Sequence, residues 1–202
     1  MSAALLHRFR RVPALRYWKP VQTGIESDDD TAEVLRLSGA PAERAFHDGV
    51  RLPRPLSPHL SASMAGRPIS LAALMDAAWS QPDTTRWIVE GAGGVLVPLN
   101  ERELMVDLIT VLGLPVVIAS RSGLGTINHT LLTVEALRAR AVPLAGVIMV
   151  GPRNIDNRIA IETRGHVHVV GELAALDPLT PDSLKDAAEQ IASGGELDSF
   201  FT

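Results

Sequence analysis

The stretch Pro115-Val116-Val117-Ile118-Ala119-Ser120-Arg121-Ser122-Gly123-Leu124-Gly125-Thr126-Ile127-Asn128-His129 decides the fold. Its first residues form a short, continuous β-branched run, the pattern of a strand buried on both faces. A glycine-containing loop then opens a helix expected over Thr126–Arg140. Ile127, Leu131, Leu132, Val134 and Leu137 make its apolar stripe, with Arg138 and Arg140 in its last turn. Val147-Ile148-Met149-Val150 supplies the next buried run. Strand, helix and strand at this spacing predict a parallel α/β unit.

The same alternation extends in both directions. Trp87-Ile88-Val89 and Val167 to Val170 read as further buried strands, and Arg16–Val21 as a less regular one that Pro20 brings to an end. Helices are expected over Asp30–Leu37, Leu71–Trp79, Leu104–Leu112 and Pro181–Ala192. Acidic residues or serine stand at some of their starts, proline at the first turn of the last, and glycine after several of them. The fold class predicted is α/β, a doubly wound, mostly parallel sheet. The Pro-rich stretch Arg51–His59 is too short to link domains, so residues 1–202 read as one domain.

Composition narrows the function classes. The 202 residues are 46% hydrophobic and 21% charged, which supports a packed core rather than disorder. A net charge of −4 offers no basic field for a nucleic-acid backbone. With no cysteine, a disulfide framework, a thiolate metal site and a cysteine nucleophile are all excluded, and a reducing cytoplasm fits. Apolar runs such as Leu114–Ala119 and Val142–Val150 fall short of the ~20 residues of a membrane helix. The N-terminal charges follow the apolar residues, the reverse of a secretory signal.

Ligands of doubly wound sheets bind beyond the carboxyl ends of the strands, and three turns there are chemically unusual. Lys19-Pro20-Val21-Gln22-Thr23-Gly24 offers a cation and a hydroxyl four residues apart, suited to a phosphate or carboxylate; a surface lysine before a turn would look the same. Val89-Glu90-Gly91-Ala92-Gly93-Gly94 places a carboxylate at the end of a buried strand, before glycines that let backbone amides approach a ligand. It reads as a metal-bound or phosphate-proximal acid with a backbone cradle, or as a Gly-rich turn carrying an exposed glutamate. The loop Ser120–Gly125 is either an anion site at a helix N-terminus or ordinary punctuation. Within Asp28-Asp29-Asp30, a solvated helix start competes with one aspartate joining Glu90 on magnesium. His166 and His168 alternate on one expected strand face without a third ligand, which reads as surface decoration, and His7 and His47 carry no signal.

Taken in order, these pieces resemble the ATP-dependent dethiobiotin synthetase family. The resemblance runs through Tyr17–Gly24, Asp30-Thr31, Ser57-Pro58-His59 with Gly66-Arg67-Pro68-Ile69, Val89–Gly94, Gly125–Thr133 and Leu144–Ile148. It implies a P-loop-type doubly wound fold, usually a homodimer. The implied ligase reaction has three steps. Diaminopelargonic acid takes up carbon dioxide as a carbamate, the carbamate oxygen attacks the γ-phosphate of ATP, and the second amine closes the ureido ring and expels phosphate. The resemblance implies that Lys19 neutralises the carbamate and the transferring phosphate, and that Thr23 contacts the diamine. It implies Asp30 and Glu90 as Mg2+ ligands, Gly91, Ala92 and Gly93 as the cradle beside them, and Val150 and Gly151 at the nucleotide. Gly125, Thr126 and Asn128 would receive the substrate carboxylate across the dimer interface.

The chain also departs from the family. No Gly-x-x-x-x-Gly-Lys-[Ser/Thr] occurs in it. The family places a strand (~5–6 residues by typical strand length) and that phosphate loop before the helix in which Met1 stands. The expectation is therefore a domain short of its first strand and phosphate loop, with an open middle of the sheet and little or no turnover from residues 1–202. Val150 stands where the family has a base-binding asparagine, with Asn154 further on, and Ala174 where it has proline, so another nucleoside triphosphate could replace ATP. Three readings stay open: a synthetase whose recorded start is too late, a non-catalytic dimeric remnant or binding paralogue, and a related P-loop amidoligase or ATPase.

Overall fold

A computed structural model describes residues 1–191 and 194–201. In it, hydrophobic periodicity becomes eight strands, all paired in parallel, and eight α-helices. The strands are β1 (Leu15–Trp18), β2 (Val21–Thr23), β3 (Ala45–Phe46), β4 (Val50–Leu52), β5 (Arg86–Val89), β6 (Val116–Arg121), β7 (Leu144–Val150) and β8 (Val169–Leu173). The helices are α1 (Ser2–Arg8), α2 (Asp30–Ser38), α3 (Pro58–Ala65), α4 (Leu71–Trp79), α5 (Met105–Leu112), α6 (Thr126–Arg138), α7 (Ile155–Gly165) and α8 (Pro181–Gln190).

The strands form three ladders: β3-β1-β5, β2-β4 and β6-β7-β8. Period-two alternation sends Tyr17 and Ile148 into a core shared with α1, α2 and α8. Trp18 and Met149 go to the opposite side, against α3 to α5 and against α6 and α7. The centre of β7 is buried on both faces, as its uninterrupted apolar run implies. Strand β6 departs from that expectation, with Val117 half-buried and Ala119 exposed, because both line a cavity. Among the described residues, β5 and β6 each pair on one side alone. A cavity of about 880 Å³ is lined from both, by Trp87 and Val89, by Val117 and Ala119, and by Met105 and Leu108 of α5.

Several elements differ from the sequence reading. Arg16–Val21 is two strands: Pro20 separates β1, which pairs with β3 and β5, from β2, which pairs with β4. The last strand begins at Val169 because His166 caps α7 in the left-handed region (φ 45°), so His166 and His168 do not share a strand face. The α6 stripe that packs is Thr126, Thr130, Val134 and Leu137, and Leu132 is exposed. Helix α6 ends at Arg138 and α8 at Gln190; Ala192 lies outside the described residues. Helices α3 and α7 had no periodic signal strong enough to announce them.

Candidate active site

The site is built first by strand alternation and register. Leu15, Tyr17 and Lys19 fall on alternate positions, so Tyr17 and Lys19 reach the same side of the β1 chain. Trp18 is in register with Val89, and the Glu90 amide donates to the Trp18 carbonyl at 2.8 Å. The next level of the ladder therefore sets Glu90 beside Lys19. Lys19 Nζ lies 2.6 Å from Glu90 Oε1, the Tyr17 hydroxyl donates to Glu90 Oε2 at 3.1 Å, and Ser2 Oγ donates to the same oxygen.

Asp30 reaches this point from a helix start. Asp29 is the N-cap of α2, accepting from the Thr31 and Ala32 amides, and Asp30 is the first helical residue. Its Oδ2 lies 2.7 Å from Lys19 Nζ. One ammonium thus holds two carboxylates, with only 8% of the lysine side chain exposed against 38% of Asp30 and 30% of Glu90. Burial works to discharge Lys19, but Glu90 and Asp30 outweigh it and hold the ammonium above the ordinary lysine value. Burial likewise works to raise Glu90, yet the Lys19 charge and the bonds from Lys19, Ser2 and Tyr17 carry it below the ordinary carboxylate value. Burial and the Glu90 charge push the Tyr17 phenol far up, so it acts as a fixed donor.

Beyond Glu90 the chain turns through Gly91-Ala92-Gly93-Gly94. Gly93 has φ +76° and stands where a Cβ would meet Val97 Cγ2 at 3.0 Å, so this turn is reserved for glycine. Asp30, Glu90, Gly91 and Gly93 line the cavity, together with Asp28 and Glu33, while the Ala92 side chain is buried in the core behind them. Thr23 closes β2, its partner in register being Leu52.

The remaining predicted residues stand around the β6-β7-β8 ladder and helix α6. Gly125 caps α6 with φ +87°, and Asn128 is exposed in its first turn. The Thr126 side chain faces inward, its hydroxyl 3.5 Å from that of Thr130, and its amide donates to Gly123. Val150 accepts from the Ser122 amide, and Gly151 (φ +126°) donates to Leu173; a Cβ on Gly151 would lie 2.5 Å from Ser122 Oγ. Neither group lines the cavity beside Lys19. The partners that the sequence reading missed are Ser2 and Tyr17; the alternation of Tyr17 with Lys19 was the available signal for the second.

A divalent cation suits the residues present. Among the described residues no three acidic or histidine side chains surround one point, but two hard carboxylates converge, and magnesium commonly takes one or two carboxylates with waters and substrate phosphates.

Comparison with known proteins supplies the family. The chain is 44% identical over 91% of its length to the ATP-dependent dethiobiotin synthetase BioD of Nitrobacter hamburgensis, covering 84% of that protein. It belongs to the dethiobiotin synthetase family. A second dethiobiotin synthetase, from Paramagnetospirillum magneticum, is 49% identical over 81% of this chain and 77% of the relative. The biotin biosynthesis bifunctional protein BioCD of Bordetella avium is 45% identical over 92% of this chain, which spans 39% of that longer protein. A family model described as an AAA domain matches residues 1–183. A ParA family ATPase from Chlorobium tepidum shares the fold, with TM-score 0.53 at 11% identity over 99% of this chain and 89% of that one. As a dethiobiotin synthetase family member the chain is an enzyme of that type, and its parallel α/β architecture agrees with the fold class that the alternating runs predict. No helix among the described residues is long and apolar enough to cross a membrane.

Proposed function

We propose that this chain catalyses ATP-dependent closure of the ureido ring of dethiobiotin from diaminopelargonic acid and carbon dioxide, with Lys19 at the reacting atoms. The observation that carries the reading is the clasp of Lys19 between Asp30 and Glu90. Phosphoryl transfer needs positioning and charge neutralisation more than covalent participation by the protein. Lys19 supplies a fixed positive charge for the carbamate and the phosphate. Asp30 and Glu90 would hold Mg2+, which when bound offsets phosphate charge. The Gly91–Gly94 turn lets backbone approach the phosphates, and Thr23 meets the diamine at the end of β2.

The β6-β7-β8 ladder and α6 take the other ends of the substrates in this reading. Asn128 and the α6 start at Gly125 and Thr126 would receive the substrate carboxylate, an anion suited to a helix N-terminus. Val150 and Gly151 would border the nucleotide base. A homodimer is supported by exposed apolar side chains before and on α6 and on α7, Leu124, Leu132, Ile155 and Ile159. A cytoplasmic location fits a chain without cysteine.

The test is phosphate release by the 202-residue protein that depends on both diaminopelargonic acid and bicarbonate. Such release, abolished in Lys19→Met, is expected. Release that ignores the diamine, or that survives Lys19→Met unchanged, would overturn the reading.

A further inference from the structure

We infer that Arg51 and Gln22 are positioning residues that set Asp30 against Lys19, acting through the N-cap of α2. The argument starts from register. Gln22 of β2 and Arg51 of β4 are partners in the parallel ladder, so their side chains leave the same face at the same level. Arg51 Nη1 donates to Gln22 Oε1 at 3.2 Å, and Gln22 Nε2 donates to the Asp28 carbonyl at 3.3 Å. Arg51 Nη2 donates to Asp29 Oδ2 at 2.7 Å. The other Asp29 oxygen, Oδ1, accepts from the amides of Thr31 and Ala32 at 3.1 and 3.2 Å.

This division of one carboxylate is the centre of the inference. Oδ1 holds the first turn of α2 and Oδ2 is tied to a guanidinium rooted in the sheet. The helix start is thereby fixed in rotation as well as in place, and Asp30 is the next residue along. Gln22 is 1% exposed, and a buried amide is costly unless both ends are bonded. Here one end holds Arg51 and the other holds the backbone just before the cap. The Arg51 carbonyl in turn accepts from Arg67 Nη1 at 2.9 Å. Partners one step removed from a metal-binding carboxylate commonly change metal affinity by about tenfold or more when lost.

The inference rests on the reading of Asp30 as a metal ligand, and two readouts separate them. The first is Mn2+ binding to the 202-residue protein, followed by water-proton relaxation. The second is the NMR signal of the Lys19 ammonium, which reports its bond to Asp30 whether or not a metal binds. Asp30→Ala defines the released state of both. Arg51→Met is expected to weaken Mn2+ binding about tenfold and to move the ammonium signal toward that of Asp30→Ala. Arg51→Lys, which keeps a cation for Asp29, should recover part of both. Asp29→Asn retains a cap acceptor and serves if Arg51→Met does not fold; it should shift both readouts in the same direction, and combining it with Arg51→Lys should add little. If the wild type binds no Mn2+, the metal reading fails while the ammonium signal still decides the positioning. Variants that leave that signal in place, and affinity within twofold, would overturn the inference.

Discussion

The ammonium of Lys19 lies 2.6 Å from a carboxylate oxygen of Glu90, its neighbour across the next level of the β1–β5 ladder. The same nitrogen is 2.7 Å from Asp30. Two carboxylates gathered on one point repel unless a cation joins them, and Lys19 is that cation when no metal is bound. Chelation should therefore leave the wild-type melting temperature within about 2 °C. In Lys19→Met the carboxylates lose their internal partner, so added Mg2+ should raise the melting temperature by several degrees more than in the wild type. Calorimetry with chelator and with Mg2+ checks this, and equal shifts in the two proteins would count against it.

The pair also defines a pH window. Glu90 is held below its ordinary 4.5, so its contribution to stability is complete above that value and lost as pH falls through the depressed folded value. Lys19 is held above its ordinary 10.5, so its contribution is complete below that value and lost as pH rises through the raised folded value. Lys19→Met removes the cation from two half-buried carboxylates, of which Glu90 keeps the bonds from Tyr17 and Ser2, and should cost about 1–3 kcal/mol. That difference from wild type should stay flat between 4.5 and 10.5 and shrink outside both limits. Denaturant unfolding at a series of pH values measures it; a difference that persists undiminished well below 4.5 and well above 10.5 would contradict the assignment.

Gly49 supports the lysine from behind. A Cβ there would meet the Pro20 carbonyl oxygen at 2.7 Å and that of Lys19 at 3.2 Å, both backbone atoms that cannot rotate away. Gly49→Ala should cost about 1–3 kcal/mol, as overpacking does, and should displace the Lys19 segment. Gly39 has φ +67° with open space around it, so Gly39→Ala carries backbone strain of about 1 kcal/mol without touching the site. Urea unfolding of both variants, with phosphate release as the second readout, distinguishes strain at the site from strain elsewhere.

The parallel sheet and the Lys19–Glu90 turns were legible because they are local: uninterrupted β-branched runs and a carboxylate before glycines. The bounds Leu71–Trp79 were legible because a serine, a residue type suited to capping, precedes them, and in the fold the Ser70 side chain accepts from the Ala73 amide. The clasp itself was less legible, since it depends on register between β1 and β5, a relation across more than 70 residues that no window of sequence contains. The inward turn of the Thr126 hydroxyl was hidden for a related reason. Threonine reads as polar in sequence, while rotation of α6 in the packed fold decides that Thr126 and Thr130 face the core and Leu132 faces outward. Arg51 and Gln22 carried no pattern at all, because a hydrogen-bonded network is defined by geometry and not by spacing.

The misread histidine gives the last prediction. His166 closes α7 with φ 45° and ψ 44°, a conformation that costs an L-residue about 1–2 kcal/mol and that glycine adopts without strain. Its imidazole is exposed, and the contact that Arg138 makes there, Nη2 to the His166 carbonyl at 2.7 Å, uses backbone that glycine retains. Glycine also loosens the unfolded chain, which offsets part of the gain. His166→Gly should therefore stabilise the protein by about 0.5–1 kcal/mol, seen as a rise of roughly 2 °C in the melting temperature. A fall would mean that the imidazole holds α7 to β8 through a contact of its own, and His166→Asn, which tolerates the left-handed region without the ring, would then show the same loss.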